Sequence, residues 1–403
     1  MGRGGSVAIV LLAFVLAACA QETELAGSRD SELRAGVEVS PVRGEVPLQV
    51  EIDSREAVQG DGDVLRELFV NGEPFGHMDA LHTLEIAEPG EHELRVRLSN
   101  DLGDVVEVSR QVTAWSPGAA PEPAVFNIEL VTEGSFSASQ REAFRSASER
   151  WTRVLTAGLP DVTMTSAQTS QACDLHYSGT IDDLLLHVKV EEIDGPGGVV
   201  AMAGPCLLRS NGMPLVGLII IDSSDLQSLT EQRYLETVVA HELGHVLGLN
   251  YSSWKGAGLV DHDHADCYAS SSVGFSGGLA QHEYHALGGA HELVPVEANG
   301  VPGTACSHWA KGHFHNELMT GYLERDAPLS RVTVGALADM GYEVDMTGAD
   351  QHFTLHPAGR ISPLSSGEEL HELLIAPRGM IDEDGELQRL PDGYAVMKSL
   401  DLR

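Results

Sequence analysis

The chain has 403 residues and a net charge of −35, from 60 acidic against 25 basic side chains. That acidic excess argues against nucleic acid and anionic lipid headgroups as partners, because both would be repelled by the surface. A hydrophobic content of 42 % supplies buried cores, and the length exceeds what one domain ordinarily needs.

The amino end reads as an export signal. Arg3 precedes an apolar stretch over residues 7–18, too short to span a bilayer and suited to a signal-peptide core. Residues 16–19 then read Leu-Ala-Ala-Cys, which resembles a bacterial lipobox. The resemblance implies a signal peptide at residues 1–19, cleavage before Cys19, and a lipidated thiol that holds the protein to a membrane by acyl chains. Ala20 follows, not the aspartate linked with retention at an inner membrane. The expected location is therefore extracytoplasmic, at an outer membrane or cell surface, with secretion as the alternative if cleavage falls after Ala20.

Residues 20–34 form a polar tether. Over residues 35–115, apolar positions alternate with polar ones, as in Leu48, Val50 and Ile52 and again in Leu94, Val96 and Leu98. Turn signals at Asn71-Gly72 and Pro89-Gly90 separate these runs, so the segment is expected to be all-β. With Pro41, Gly44, Pro47 and Leu48 it resembles the start of a PKD-type, immunoglobulin-like sandwich, which implies a spacing or adhesion role. Residues 116–124 are a proline-rich, stiff linker. No cysteine lies between residues 20 and 172, so this region has no thiolate with which to block a metal.

A mixed pattern begins at residue 125. Residues 126–131 alternate as a strand, and Ser137 with Gln140 makes a capping box that opens a helix. That helix sets Phe144, Ala147, Trp151, Val154 and Leu155 on one face, to pack on a sheet. Residues 216–221 are an apolar run that reads as a buried strand ending at Asp222.

Residues 241–245 read His-Glu-Leu-Gly-His. Four residues apart on a helix, His241 and His245 project from one face and can bring two imidazole nitrogens to one ion at ~2.1 Å. Glu242 is offset from both and suits the role of general base toward a water at that ion. Leu235, Val238, Val239, Val246 and Leu247 recur at helical intervals and give the helix a buried face, and Gly248 and Asn250 stop it. A catalytic zinc needs a third protein ligand and an open position. Tyr251 occupies the place three beyond Gly248 where a compact motif carries histidine, so the ligand comes from further along. His262, His264, His282, His285, His291, His308, His313 and His315 are available, and Glu283 would suit a glutamate-ligated arrangement.

Residues 306–321 read Cys-Ser-His-Trp-Ala-Lys-Gly-His-Phe-His-Asn-Glu-Leu-Met-Thr-Gly, which resembles the leishmanolysin family of metzincin metallopeptidases. That family places a long insertion before its third histidine and resumes with His-Trp and Glu-Leu-Met; here 59 residues separate Gly248 from His308. Phe275, Gly277, Tyr284, residues 287–289, residues 294–297, Gly303 and Thr304 follow the same order within the insertion. The resemblance covers residues 125–346 and ends in a helix closed by Gly341. It implies an α+β zinc protease domain with an active-site helix and a twisted mixed sheet, so the expected fold class is multidomain, sandwich plus protease. It further implies His308 as third zinc ligand, Met319 as the Met-turn flooring the site, and residues 197–204 as the edge strand that pairs with an extended substrate. Tyr322 lies three beyond Met319, one residue past the place of a tyrosine ligand, and is assigned to packing.

Within the insertion, residues 261–266 alternate Asp and His and are a candidate second site for Ca2+ or Zn2+. His313 and His315 flank Phe314 near the His-Trp pair as candidate cleft residues. Cys173, Cys206, Cys267 and Cys306 remain after Cys19, an even set in an exported chain. Three connectivities are open; Cys173 with Cys206 and Cys267 with Cys306 is favoured, because the second would close the base of the insertion and fix His308. Residues 347–403 carry no motif and are expected to be a packed appendage or a tail.

The expected function is zinc-dependent endopeptidase action on extracellular proteins or peptides. A surface adhesin with a structural zinc is the first alternative; Glu242, a base such a site has no need of, speaks against it. A zinc hydrolase acting on a non-peptide amide or a peptide end is the second.

Overall fold

The computed structural model describes residues 32–59, 63–119, 125–134, 136–268, 273–298, 303–355 and 368–390. The expected signal segment with Cys19, most of the expected tether, and residues 120–124 of the expected linker lie outside the described residues. No helix among the described residues is long and apolar enough to cross a membrane.

The amino-terminal strands follow the alternation of the sequence. β1 (Glu38–Ser40), β2 (Arg43–Glu45), β3 (Leu48–Asp53), β4 (Val64–Val70), β5 (Glu73–His77), β6 (Leu81–Ile86), β7 (Gly90–Asn100) and β8 (Val105–Trp115) appear in order. In β3, Leu48, Val50 and Ile52 point inward while their neighbours face solvent. Asn71 and Gly72, both at positive φ, turn β4 back into β5. β1, β3 and β6 form a small antiparallel sheet that packs its apolar face on β7 and β8.

β8 does not end the sheet. It pairs antiparallel with β9 (Ile128–Glu133), from Val106 opposite Glu133 to Ser109 opposite Leu130. The ladder continues through β10 (Leu184–Glu191), β12 (Pro214–Asp222) and β11 (Ala201–Leu208), so one sheet of twelve strands among the described residues runs through both regions. The sequence suggests two bodies on a stiff spacer; the structure splices them across β8 and β9. Alternation marks a strand without naming its partner, which is why this junction is not readable in advance.

The shared sheet is buried on both faces. Leu185, Cys206, Val216 and Leu218 meet the core of the amino-terminal strands. Leu186, Val188, Ile219 and Ile221 meet helices. Those are chiefly α1 (Ala138–Thr152), with the capping box of Ser137 and Gln140 in place, and α2 (Leu235–Val246). Trp151 of α1 is fully buried and donates its indole N–H to the carbonyl of Ala240 at 2.8 Å, tying the two helices together. α3 (Tyr251–Gly256), α4 (Gly278–Ala286) and α5 (Arg331–Asp339) complete the domain, the last closed by Gly341 at φ +105.

Residues 368–390 pack on this domain. β14 (Glu368–Glu369) pairs with β13 (Tyr322–Leu323), and β15 (Glu372–Leu374) and β16 (Gly379–Ile381) pair in parallel with the outer side of β11. β17 (Leu387–Arg389) closes that edge against β16. The edge strand thus spans Ala201–Leu208, shifted from the expected residues 197–204, and its outer side is covered by the chain itself.

Candidate metal centre

Expected to bury one face, α2 buries nearly all of itself: Glu236 alone escapes between Leu235 and Val246. Core contacts account for one side and the carboxy-terminal segment for the other. Gly244 lies under the site because Met319 Sδ and Trp151 Cζ2 occupy the space a Cβ would fill, the latter at 3.0 Å. Met319, 2 % exposed, therefore lies against the helix turn between His241 and His245. Gly248 ends the helix at φ +102, with Met340 Cε 2.5 Å from where its Cβ would be. Asn250 caps α3 and donates its amide to the His245 carbonyl at 3.0 Å. Tyr251 lies in the core and donates its hydroxyl to the carbonyl of His262 at 3.0 Å.

His308 arrives from the far end of the insertion. Glu297 N–H donates to the His308 carbonyl at 2.7 Å, and Trp309 pairs with Val296. Trp309 is sandwiched among Trp254, Phe275 and Phe314, with ring centroids 5.2 to 5.6 Å apart. A disulfide joins Cys267 to Cys306, two residues before His308, and another joins Cys173 to Cys206.

His241, His245 and His308 converge with their Nε2 atoms 3.0 to 3.1 Å apart, and all three side chains are fully buried. Each Nδ1 faces a backbone carbonyl: Leu318 O at 2.5 Å for His241, Leu249 O at 2.7 Å for His245 and Thr304 O at 2.9 Å for His308. A carbonyl only accepts, so each Nδ1 carries the hydrogen and each Nε2, when its ring is neutral, presents its lone pair to the common centre. Three lone pairs facing one another cannot hydrogen-bond, whereas a tetrahedral ion with ~2.1 Å bonds would hold them ~3.4 Å apart. The donor set therefore fits a divalent metal of zinc's kind. Burial pushes His245 down to about 4, so its ring is neutral and able to ligate at neutral pH.

A fourth group completes the cluster, and the sequence did not announce it. Glu372 on β15 is 2 % exposed, with Oε1 2.6 Å from His308 Nε2 and Oε2 3.0 Å from His241 Nε2. Its burial would raise the carboxyl, but without a metal the positive charge of protonated imidazoles around it outweighs burial and holds it well below the usual range, and a bound cation would take over that role. His241, His245, His308 and Glu372 together form a buried four-ligand set. Glu242 stands beside it, fully buried, with no hydrogen bond to either oxygen. Burial, then the neighbouring Glu372, pushes its carboxyl well above the ordinary range. A divalent cation among the imidazoles would oppose that rise by its own charge.

Met319 is held by a second buried carboxylate. Glu317 accepts the N–H of Met319 at 2.5 Å, the N–H and hydroxyl of Ser330 at 3.0 and 2.8 Å, and the hydroxyl of Thr333. The same turn presents the Leu318 carbonyl that orients His241. Glu317 is thus a positioning residue that lay unremarked in the Glu-Leu-Met run.

Other expected positions fall elsewhere. Glu283 is bound by Arg331 through contacts of 2.7 and 3.0 Å and is no ligand. The tract at residues 261–266 wraps Lys255, whose ammonium donates to the carbonyls of Asp261 and His262 at 3.2 and 2.8 Å. The His262 ring lies against Tyr251 and beside the Cys267 and Cys306 sulfurs, which the disulfide occupies, so no second group of open ligands forms among the described residues. His313 stacks edgewise on His291, and the Tyr322 ring receives the Lys311 ammonium 3.4 Å from its centre.

A mixed sheet thus carries a buried helix that brings two histidines to a third at one candidate metal centre. Residues 162–354 match the family model described as Leishmanolysin, so this part of the chain is similar to that family. The chain is 30 % identical over 198 residues to the ciliated left-right organizer metallopeptidase of Xenopus laevis, covering 44 % of this chain and 27 % of that protein. It is 27 % identical over 188 residues to leishmanolysin of Leishmania chagasi (43 % and 30 % covered), and 24 % identical over 281 residues to that of Leishmania tropica (67 % and 40 %). The chain thus spans between about a quarter and two fifths of the length of these relatives. Among solved structures, the fibronectin(III)-like modules of Clostridium thermocellum CbhA match at 19 % identity and a TM-score of 0.17, covering 21 % of this chain and 47 % of that one.

Proposed function

We propose that the protein is a zinc-dependent endopeptidase acting on extracellular proteins or peptides, held to a bacterial membrane surface by lipid at Cys19. The observation that carries this reading is the set of three Nε2 lone pairs aimed at one point, with the buried Glu242 beside them making no structural bond. Zinc bound there would supply Lewis acidity, lowering the pKa of a water toward ~7 and polarising the scissile carbonyl.

The chain's own groups do the rest. The carbonyls of Leu318, Leu249 and Thr304 keep the imidazoles in the ligating tautomer. Glu242 takes the proton of the attacking water and delivers it to the leaving amine, a role that requires its carboxylate within reach of both. At the start of β11, the N–H of Val200 just before the strand and the Ala203 carbonyl within it are the groups to which an extended substrate backbone would bind. That geometry suits an internal peptide bond better than a chain end. The surface-adhesin reading gives Glu242 no work, and it stays second.

The test is cleavage of an unfolded protein such as casein by the zinc-loaded protein, with and without a chelator, beside Glu242→Ala. We expect the variant to retain its zinc and lose ~10²- to 10⁴-fold in rate. Equal cleavage by parent and variant at matched zinc content would remove Glu242 from the chemistry.

A further inference from the structure

The open position that a hydrolytic centre needs is taken by the chain itself. Residues 368–375 cross the site from one rim to the other. On one rim β14 pairs with β13, just after the Met319 turn, and the Leu370 N–H donates to the Gly321 carbonyl at 3.0 Å. On the other, Val200 N–H donates to the His371 carbonyl at 2.7 Å, Glu372 to Leu374 lie opposite Ala201 to Ala203, and Ile375 N–H donates to the Ala203 carbonyl at 2.7 Å. Between the rims Glu372 turns inward onto the three imidazoles. Two glycines admit the backbone: a Cβ at Gly303 would lie 2.5 Å from the Glu372 carbonyl oxygen, and one at Gly204 would strike the Ile375 carbonyl.

We infer that residues 368–375 are a built-in plug that keeps the peptidase latent: an extended strand occupies the substrate edge of β11 while the Glu372 carboxylate fills the fourth metal position, and displacing the strand activates the enzyme. This rests on the peptidase reading above. The segment resembles a substrate in its backbone pairing and differs from one at the decisive atom. It offers a carboxylate where a substrate would offer a scissile carbonyl, and it fills the space the attacking water needs. Being tethered, it competes at an effective concentration on the order of millimolar, so a short peptide of modest affinity cannot displace it. Leu373, Leu374 and Ile375 are only half-buried, and β15 joins the sheet along one side, so the plug is the part of the site wall most readily lifted.

The experiment uses the full-length protein loaded with Co2+ for spectroscopy and with Zn2+ for cleavage. Glu372→Ala removes the capping carboxylate; Ile375→Pro removes one strand hydrogen bond without touching the metal. We expect Glu372→Ala to change the Co2+ visible absorption, both variants to speed amide exchange at Val200, and both to cleave a peptide at least 10-fold faster than the parent. An unchanged spectrum in Glu372→Ala together with unchanged protection of Val200 would overturn the plug, as would a parent that cleaves as fast as both variants. A changed spectrum and lost protection with no cleavage by any form would leave the plug standing and sink the peptidase reading instead.

Discussion

The two walls of the metal centre are built differently. The wall made by α2 and the Met319 turn is continuous with the main core: Trp151, Leu243 and Val246 are fully buried around it, and each histidine is oriented by a backbone carbonyl. The wall made by β15 is a short strand added to a sheet edge, half-exposed on its outer residues, and it meets the centre through the one carboxylate of Glu372. The first wall fixes where a metal sits, whereas the second decides what reaches it. Geometry that must be accurate is built into the core, and access is set by an element added at the sheet edge.

The largest expected effect sets the walls directly against each other. Removing a core ligand by His308→Ala should weaken zinc binding by more than the ~100-fold that mutation of a supporting residue costs. Glu372→Ala touches the same centre but should leave the affinity within ~10-fold, because three oriented imidazoles remain. Competition against a chromophoric chelator measures both. Similar losses in the two variants would show that Glu372 is a permanent ligand of a closed structural site, and the contrast between the walls would collapse.

The next effect tests how rigidly the inner wall is held. Glu317→Ala would leave the Met319 and Ser330 N–H groups and two hydroxyls without their acceptor. With each orphaned donor worth ~1 to 3 kcal/mol, a loss of at least ~3 kcal/mol in urea unfolding is expected. Glu317→Gln should restore part of it. Zinc affinity should fall with stability, since the Leu318 carbonyl that orients His241 belongs to the same turn. A stability loss without a change in zinc affinity would mean that the turn is supported but does not set the ligand.

The same division explains what the sequence disclosed. His241, Glu242 and His245 are legible because the chemistry is local: a helical repeat brings residues four apart to one face. No local rule reaches His308; it was found through the resemblance carried by the His-Trp and Glu-Leu-Met runs. Glu372 lies in a tail without a motif, and its role depends on a parallel pairing with β11 that no periodicity encodes. The one available signal was the apolar run Leu370, Leu373, Leu374 and Ile375 within a tail otherwise rich in glycine, proline and acidic residues. The amino-terminal strands were legible as strands, but their junction with the sheet of the metal-centre region through β8 and β9 was not.

The smallest effect lies away from the centre, in the sheet that supports it. His187 on β10 sits between Val131 and Leu218 of the adjoining strands, fully buried, with Nε2 2.9 Å from Glu133 Oε1. Burial lowers its pKa below the ordinary 6.5, and the attraction of Glu133 does not make up the difference. The unfolded chain therefore binds a proton near pH 6.5 that the folded chain refuses. Stability from this group is full above pH 6.5 and declines as the pH falls through that value toward the lower folded pKa, with a slope of at most ~1.4 kcal/mol per pH unit. His187→Gln removes the titration and keeps a polar side chain, so its melting temperature should fall less than the parent's between pH 7.5 and 5.5, by ~2 °C. The metal histidines titrate in both proteins and cancel in the difference. Parallel melting curves would show that Glu133 holds His187 protonated inside the sheet. The sheet beside the amino-terminal strands would then contain an ion pair with a buried imidazole, and it would keep its full stability in acid while the metal centre loses its ligands.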